Sequence, residues 1–278
     1  MSKRANSATG GARGARAGKQ TGKRAPGRTN RPNEEAKPPR MRIIAGAWRG
    51  RPIVAPKGEG TRPTTDRVRE AVMSAVSSAR GGFDDAVVLD AFAGSGALGL
   101  EALSRGAASA HFYEVEGAAL RALRANCEKL GCARGAGQGR GLRGPAELLG
   151  GPGAPPPCGP STERAHVHRD DVLKRPPVHV RPPFDLLFLD PPYAYDAAEV
   201  LRALVGPLCE RGGLAPEALI VYEHDHGQDF SAPPLSGVLD ELQLSVESTK
   251  VYGGTVVEIM RRAAEPTAQR ESAAAEEV

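Results

Sequence analysis

A carboxylate, two prolines and an aromatic ring stand together at Asp190-Pro191-Pro192-Tyr193. They follow the apolar run 184–189, which is typical of a buried parallel strand. Two consecutive prolines do not continue a strand ladder, so we expect the strand to end before them, where open α/β sheets bind ligands. The carboxylate and the Pro191 carbonyl are suited to accept hydrogen bonds from an exocyclic amine, with Tyr193 stacked on its planar base. The alternative interpretation is a turn that only terminates the strand.

A glycine-rich loop precedes this turn in the chain. The segment Gly94-Ser95-Gly96-Ala97-Leu98-Gly99 follows a strand pattern that ends at Asp90, and a helical pattern comes after it. Glu114 closes the next strand pattern, where an acid binds ribose hydroxyls, and Asp171 closes the third, where it meets an adenine amine. The spacing alone also matches a dinucleotide loop, so NAD is an alternative ligand. However, Asp90 repels a pyrophosphate and attracts a sulfonium or an ammonium, which favours S-adenosylmethionine.

Apolar runs and helical patterns alternate between Ala86 and Tyr222. This βαβ alternation predicts a parallel sheet with right-handed crossovers. Residues 41–55 predict an N-terminal hairpin, and a helix is expected to begin near Thr64. Two alternating runs around Gly253-Gly254 predict a second hairpin at the end of the domain. The predicted fold class is therefore α/β.

Positive charge is concentrated at the N-terminus of this 278-residue chain. Residues 1–40 hold eleven basic and two acidic side chains, so they carry +9 and the remainder carries −5. A segment of this kind without aromatics does not fold alone, and it serves either to bind a polyanion or as a solubilising tail. We predict a disordered basic arm at 1–40, a domain at 41–262 and a flexible tail at 263–278. The domain includes an N-terminal extension at 41–80 and a disordered Gly/Pro-rich insertion at 133–163.

Several classes of protein are excluded by composition. No apolar run is long enough to span a bilayer, and the basic N-terminus lacks the apolar core of a signal peptide. The cysteines show no spacing typical of zinc ligands, and His224 and His226 lack a third ligand at a useful spacing. We therefore predict a cytoplasmic protein with reduced thiols, no membrane partner and no metal. The cysteines are Cys127, Cys132, Cys158 and Cys209.

Basic side chains and one tryptophan cluster around the N-terminal hairpin and the following helix. We interpret the arginines as phosphate contacts that position RNA, and Trp48 as a side chain that stacks on a base. The alternative is a solvated basic face with Trp48 in the core. The arginines are Arg42, Arg49, Arg51, Arg62 and Arg67.

Four segments resemble, in order and spacing, the RsmD family of bacterial 16S ribosomal RNA guanine-N2 methyltransferases. The resemblance runs from about Met41 to Met260, interrupted at 133–163, and its most specific part is Arg62-Pro-Thr-Thr-Asp-Arg-Val-Arg-Glu70. The glycine loop and Asp-Pro-Pro-Tyr are shared with many amine-directed methyltransferases. The matching segments are 41–51, 61–70, 90–106 and 190–193.

The resemblance implies a Rossmann-like class I methyltransferase fold, a mostly parallel seven-stranded sheet with a C-terminal antiparallel hairpin. It implies methylation of the N2 amine of a guanine in small-subunit ribosomal RNA by a monomer acting on an assembly particle, with Asp190, Pro191, Pro192 and Tyr193 as the amine-binding motif. Phenylalanine is also used at the position of Tyr193. The implied S-adenosylmethionine site consists of Asp90, Gly94, Ser95, Gly96, Glu114 and Asp171.

Three other functions remain open at this point. A DNA or RNA methyltransferase acting on adenine or cytosine shares the same loop and turn. An NAD-dependent oxidoreductase shares the loop. A non-catalytic RNA-binding protein that kept the fold would share both.

Overall fold

The computed structural model describes residues 41–56, 66–132 and 163–263. The predicted basic arm, nearly all of the predicted insertion and nearly all of the predicted tail lie outside these ranges. Arg62 and Cys158 also lie outside them. The proposed domain boundaries therefore stay predictions.

The described residues form six α-helices and seven β-strands. A 3-10 turn at Gly46–Trp48 precedes them, and a π-helical segment at Leu201–Val205 joins α4 to α5. The helices are α1 Asp66–Arg80, α2 Ala97–Ser104, α3 Gly117–Leu130, α4 Ala197–Val200, α5 Gly206–Glu210 and α6 Leu235–Glu241. The strands are β1 Val87–Asp90, β2 Ser109–Tyr113, β3 Ala165–His168, β4 Phe184–Leu189, β5 Leu214–His224, β6 Leu244–Tyr252 and β7 Thr255–Arg262.

The strands form one sheet in the order β3-β2-β1-β4-β5-β7-β6. The first five are parallel, and β7 pairs antiparallel with both β5 and β6. The β6–β7 hairpin thus supplies the antiparallel edge of a mostly parallel sheet. The predicted α/β fold is confirmed.

Helices cover both faces of the sheet, which explains why its central strands are apolar on both sides. On one face α1, α2 and α3 pack against alternate strand residues such as Val88 and Phe188. On the other face α4, α5 and α6 pack against the intervening residues, such as Leu89 and Leu187. Strand β4 is buried at all positions except Asp185, as its unbroken apolar run predicts.

Residues 41–56 form the N-terminal hairpin, although it contains no extended strands. Its arms are joined by a single bridge between Arg42 and Pro52. The Ile43 amide donates to the Arg51 carbonyl at 3.0 Å, and the Ile53 amide to the Met41 carbonyl at 2.9 Å. Residues 46–48 supply the turn between the arms. The predicted hairpin is therefore present in a short, irregular form.

Three elements differ from the sequence prediction. Strand β3 ends at His168, before Asp171, because Asp170 and Asp171 enter a turn. The apolar run 218–222 predicts the fifth strand, but strand β5 begins earlier, at Leu214, and helix α6 was not predicted. None of the helices in the described ranges has the length and hydrophobicity needed to cross a membrane.

Candidate functional site

Acidic side chains follow four neighbouring strands of the sheet. Asp90 is the last residue of β1, Glu114 follows β2 and Asp190 follows β4. Asp171 lies three residues beyond the end of β3. Because the carboxyl ends of parallel strands meet at one edge, the fold brings these acids to the same end of the sheet. The charges of Asp190 and Glu114 act directly on Asp90.

Asp90 is a buried acid at the centre of this edge. Its side chain is 3 % exposed, and its Oδ2 accepts a hydrogen bond from the Gly99 amide at 3.0 Å. Burial raises the pKa of this carboxyl to about 7, with repulsion from Asp190 and Glu114 adding to the shift and the Gly99 hydrogen bond opposing it. No ion pair to Asp90 exists among the described residues. The carboxylate therefore favours a cation from outside the chain.

The glycine loop is fixed to the end of β2 by Glu114. The Gly94 amide donates to Glu114 Oε2 at 2.8 Å, and the Glu116 amide donates to Oε1 at 2.7 Å. Gly94 has a φ of +54°, and a Cβ built on it meets no atom within 4 Å. The space beside Gly94 is therefore open. Each Glu114 oxygen also retains capacity to accept a further hydrogen bond.

The carboxylate of Asp171 already has partners in its own loop. It pairs with the Lys174 ammonium at 2.9 Å and accepts from the Leu173 amide at 3.1 Å. The hydrogen bond from Lys174 holds its pKa below the usual range, so the group is ionised at neutral pH. Its role toward an adenine stays a prediction.

The Asp190–Tyr193 turn faces the same edge from β4. Asp190 is partly buried, and burial raises its pKa to about 6. Among the described residues, no group donates a hydrogen bond to its carboxylate. The Tyr193 side chain is 40 % exposed, and its hydroxyl lies 3.1 Å from Thr255 Oγ1 at the start of β7. The turn therefore presents an unused acceptor beside a half-exposed, tethered ring.

These groups form an acidic cluster at one end of the sheet. Asp90, Glu114 and the Gly94 turn belong to β1, β2 and the loops that follow them, whereas Asp190 and Tyr193 follow β4. Clustered carboxylates disfavour a pyrophosphate and favour a cationic ligand. Within the described ranges, no group of three or more His, Cys, Asp or Glu side chains is arranged to hold a metal ion.

Comparison with known proteins identifies the family. The family model described as Conserved hypothetical protein 95 matches residues 41–141 and 160–260. A Haemophilus influenzae protein named "Ribosomal RNA small subunit methyltransferase D" is 34 % identical over 215 residues, which cover 76 % of this chain and 93 % of the relative. This chain belongs to the RsmD family.

Two further comparisons, one with a curated relative and one with a solved structure, agree with this assignment. The Escherichia coli K12 protein of the same name is 32 % identical over 226 residues, covering 81 % of this chain and 91 % of the relative. A solved structure, the "putative methyltransferase yhhF" of Escherichia coli, is 31 % identical with a TM-score of 0.55. The aligned region covers 81 % of this chain and 99 % of that structure's chain. The chain therefore has the Rossmann-like methyltransferase fold.

The arginines predicted to contact RNA are exposed wherever the structure describes them. Arg42 pairs with Asp66 at 3.2 Å but keeps 63 % of its side chain exposed. Arg51 donates to the Lys129 carbonyl at 3.0 Å, and Arg49 and Arg67 are exposed. These side chains belong to the N-terminal hairpin and α1, which precede the first strand of the sheet. Their contact with RNA stays a prediction.

The predicted base-stacking role of Trp48 is wrong in this structure. Its side chain is only 5 % exposed and packs in the core with Ile43 and Leu103. No ring face is open to a base. Trp48 instead anchors the N-terminal hairpin to the domain, as the alternative interpretation held.

The N-terminal hairpin is held in place by three buried polar side chains. The sequence analysis did not single them out. Glu101 accepts the Ile44 amide at 2.8 Å and the Ala45 amide at 2.9 Å. Ser104 accepts the Trp48 amide at 2.9 Å and donates to the Ala45 carbonyl at 2.6 Å. Asn126 contacts Val54. Glu101 and Ser104 could have been found from the sequence, because they are polar residues three positions apart in the otherwise apolar helix α2.

Gly46 shows how closely the hairpin approaches helix α2. A Cβ at this position would lie 1.9 Å from the Ser104 carbonyl oxygen, and the φ of Gly46 is +78°. Any other residue would push the hairpin off the helix. Two of the segments that resemble the RsmD family therefore contact each other in the fold, namely 41–51 and 90–106.

Proposed function

We propose that this protein transfers a methyl group from S-adenosylmethionine to the N2 amine of a guanine in small-subunit ribosomal RNA. The observation that carries the proposal is the Asp190 carboxylate, which lacks a hydrogen-bond donor among the described residues and lies close enough to Asp90 to raise its pKa. Names of RsmD relatives support ribosomal RNA as the substrate class.

In this proposal S-adenosylmethionine binds beside Asp90, Glu114 and the Gly94 turn. It supplies an already activated methyl group, so the protein's task is alignment and electrostatics. Asp90 is placed to attract its positive charge, Glu114 to accept from ribose hydroxyls, and the turn at Gly94 to admit it without steric conflict. Ser95 and Gly96 form the rest of that turn, and Asp171 lies on the adenine side.

The turn after β4 holds the amine in our scheme. A guanine N2 amine is a poor nucleophile because its lone pair is conjugated with the ring. The Asp190 carboxylate and the Pro191 carbonyl accept its two protons, which fixes the nitrogen at about 3 Å from the methyl carbon. Pro192 stiffens the turn, and the half-exposed Tyr193 ring stacks on the base.

Asp190 also has the protonation properties that the reaction needs. Its pKa of about 6 leaves it ionised at neutral pH, so it accepts hydrogen bonds from the amine. The raised pKa brings it nearer to the working pH than an ordinary aspartate, which suits a group that takes up a proton. The amine becomes acidic as the methyl group arrives, and Asp190 is the nearest acceptor in this scheme.

We further propose that the exposed arginines contact phosphates, and that the enzyme acts as a cytoplasmic monomer on a small-subunit assembly particle. The clustering of Arg42, Arg49, Arg51 and Arg67 on the hairpin and α1 supports the RNA contact. Arg62 belongs to the same proposal although it lies outside the described residues. RNA binding should then weaken steeply with salt, also after residues 1–40 are deleted.

The deciding experiment compares Asp190→Asn with Asp196→Asn. Both changes replace a carboxylate by an amide, but Asp196 is exposed and caps helix α4 through the Glu199 amide, a role that asparagine fills equally well. We expect Asp190→Asn to lose about 100-fold or more in methyl transfer with S-adenosylmethionine affinity retained, as for loss of an acid–base group. Asp196→Asn should match wild type. Normal turnover of Asp190→Asn would refute the role of the turn.

The acceptor is tested with purified small ribosomal subunits, naked 16S ribosomal RNA and duplex DNA, followed by nucleoside analysis. Formation of N2-methylguanine in the RNA supports the proposal. Methyladenine or methylcytosine, in RNA or in DNA, would establish the alternative amine methyltransferase. Binding of RNA without any methyl transfer would establish a non-catalytic protein.

A further inference from the structure

The side chain of Asn126 lies between the glycine loop and the N-terminal hairpin. It belongs to helix α3 and is fully buried. Its Nδ2 donates to the Ser95 carbonyl at 2.9 Å and to the Val54 carbonyl at 3.0 Å, and its Oδ1 accepts from the Val54 amide at 2.7 Å. Both amide hydrogens and one oxygen lone pair are thus used. One side chain holds the backbone of both segments.

The other buried anchors of the hairpin make no such connection. Ser104 also forms two hydrogen bonds to the hairpin and is also buried, but both of its partners lie at Ala45 and Trp48. Ser95 is tied to the hairpin a second time, because its hydroxyl donates to the Met41 sulfur at 3.5 Å. The hairpin therefore contacts the glycine loop through its first residue directly and through Val54 by way of Asn126.

This geometry makes the two segments energetically dependent on each other. A buried amide that loses a partner is costly, so Asn126 keeps its three hydrogen bonds only while Val54 and Ser95 hold their relative positions. An RNA that fixes the exposed arginines of the hairpin also fixes Val54. A ligand that fixes the glycine loop also fixes Ser95. If RNA binds more tightly when Val54 and Ser95 hold these relative positions, the ligand of the glycine loop must bind more tightly in the presence of RNA, and the reverse must also hold.

We propose that Asn126 is a positioning residue that couples RNA binding at the N-terminal hairpin to S-adenosylmethionine binding at the glycine loop. The inference rests on the proposed function, because it assumes these two ligands. Asn126 touches neither ligand in this scheme. It transmits the position of Val54 to the Ser95 carbonyl, next to the turn at Gly94.

The test measures the S-adenosylmethionine dissociation constant by calorimetry, first alone and then with saturating small ribosomal subunits or naked 16S ribosomal RNA. We expect RNA to tighten cofactor binding of wild type at least about fivefold, the lower end of usual coupling. Asn126→Ala should reduce that factor to less than about twofold. Ser104→Ala, the matched control, should lower the melting temperature yet keep the coupling factor, because the Val54–Asn126–Ser95 connection stays intact.

A purely structural role for Asn126 predicts a different pattern, in which both variants lose stability and both keep or both lose the coupling. Either result would overturn the inference. If Asn126→Ala does not fold, the inference is tested on the wild-type protein alone, by measuring amide hydrogen exchange in the absence of RNA. S-adenosylhomocysteine should slow exchange of the Val54 amide, whose acceptor is Asn126. Unchanged exchange at Val54 would overturn the inference.

Failure of the proposed function gives other results. Absence of S-adenosylmethionine binding to wild type, or absence of RNA binding, refutes that function itself. Binding of both ligands with a wild-type coupling factor of one refutes only the role of Asn126.

Discussion

Replacement of Asp90 by asparagine should stabilise the unliganded protein and weaken its cofactor binding. Asp90 is 3 % exposed, and burial together with the charges of Asp190 and Glu114 raises its pKa to about 7. Asparagine removes the charge and keeps an oxygen for the Gly99 amide, which bonds to Asp90 at 3.0 Å. Under the proposed function, the same carboxylate that attracts a cationic ligand is thus a source of instability in the unliganded protein.

The size of the stability effect follows from the pKa shift. A folded-state pKa raised from 3.8 to about 7 means that the contribution of Asp90 to stability is present below pH 3.8 and is lost as pH rises through 7. Three pH units at 1.36 kcal/mol each correspond to about 4 kcal/mol at pH 8, as an order of magnitude. We therefore expect Asp90→Asn to raise the free energy of unfolding at pH 8 by up to about 4 kcal/mol. The gain should shrink at pH 5.

The same protonation equilibrium controls cofactor affinity. S-adenosylmethionine carries a net positive charge, so it binds the ionised form of Asp90 more tightly. Below the pKa each pH unit should cost about tenfold in affinity, so wild type should bind about tenfold more weakly at pH 6 than at pH 8. Asp90→Asn should bind weakly at both values. S-adenosylhomocysteine, which lacks the sulfonium, should show a smaller dependence in wild type.

Urea denaturation at pH 5 and 8 and calorimetry between pH 6 and 8 measure these effects. Calorimetry in two buffers of different ionisation enthalpy should also detect protons released on binding at pH 6.5. The reasoning would be refuted by wild-type affinity that is constant from pH 6 to 8. It would also be refuted by an Asp90→Asn protein that is less stable than wild type at pH 8.

Three further predictions concern other parts of the domain. Tyr193→Phe, which loses only a solvent-exposed hydrogen bond to Thr255, should keep methyl transfer within about tenfold. Tyr193→Ala should lose about 5- to 150-fold because the base loses its stacking partner, and equal losses in the two variants would contradict a stacking role. Glu101→Ala leaves two hairpin amides and Arg105 without their buried acceptor. It should lower the free energy of unfolding by about 3–5 kcal/mol in urea denaturation, and a change below about 1 kcal/mol would show that other contacts hold the hairpin. Burial and its stacked histidine neighbours lower the pKa of His111 to about 4. The contribution of His111 to stability should therefore fall as pH drops from 6.5 toward 4, opposite in sign to that of Asp90, so His111→Phe should gain stability relative to wild type over that window. A stability difference between the two proteins that is constant with pH would contradict this.

The sequence was sufficient to predict the acidic edge of the sheet because strand order in a βαβ chain is tightly restricted. Once β1, β2 and β4 were recognised as parallel strands, Asp90, Glu114 and Asp190 had to meet. The ends of elements were harder to predict. Asp171 was expected to close β3, but the strand ends three residues earlier, at His168, and the Asp170 carboxylate accepts the Asp171 amide at 3.0 Å in the turn that follows. Local side-chain hydrogen bonds of this kind compete with strand pairing and leave little trace in a hydropathy pattern.

The N-terminal hairpin was recognised, but its attachment was not. Its contacts join residues that are far apart in the chain, for example 56 positions between Trp48 and Ser104 and 72 positions between Val54 and Asn126. Such contacts depend on tertiary geometry that local periodicity does not contain. For the same reason Trp48 was misread as a surface ring, since only the docked hairpin shows that its indole faces the core.

The glycine loop is held on both sides before any ligand is present. Glu114 accepts the Gly94 amide on one side, and Asn126 donates to the Ser95 carbonyl on the other. A loop that is held at two points pays less conformational entropy on binding, so under the proposed function the charge of Asp90 and the position of the loop together set cofactor affinity. The proposed base site differs, because a base would have to leave its stack to reach Tyr193, at a cost of a few kcal/mol. Under the proposed function, selection between nucleic acids should therefore depend on that cost and on the hairpin arginines, whereas the choice of methyl donor should depend on the strand-end acids.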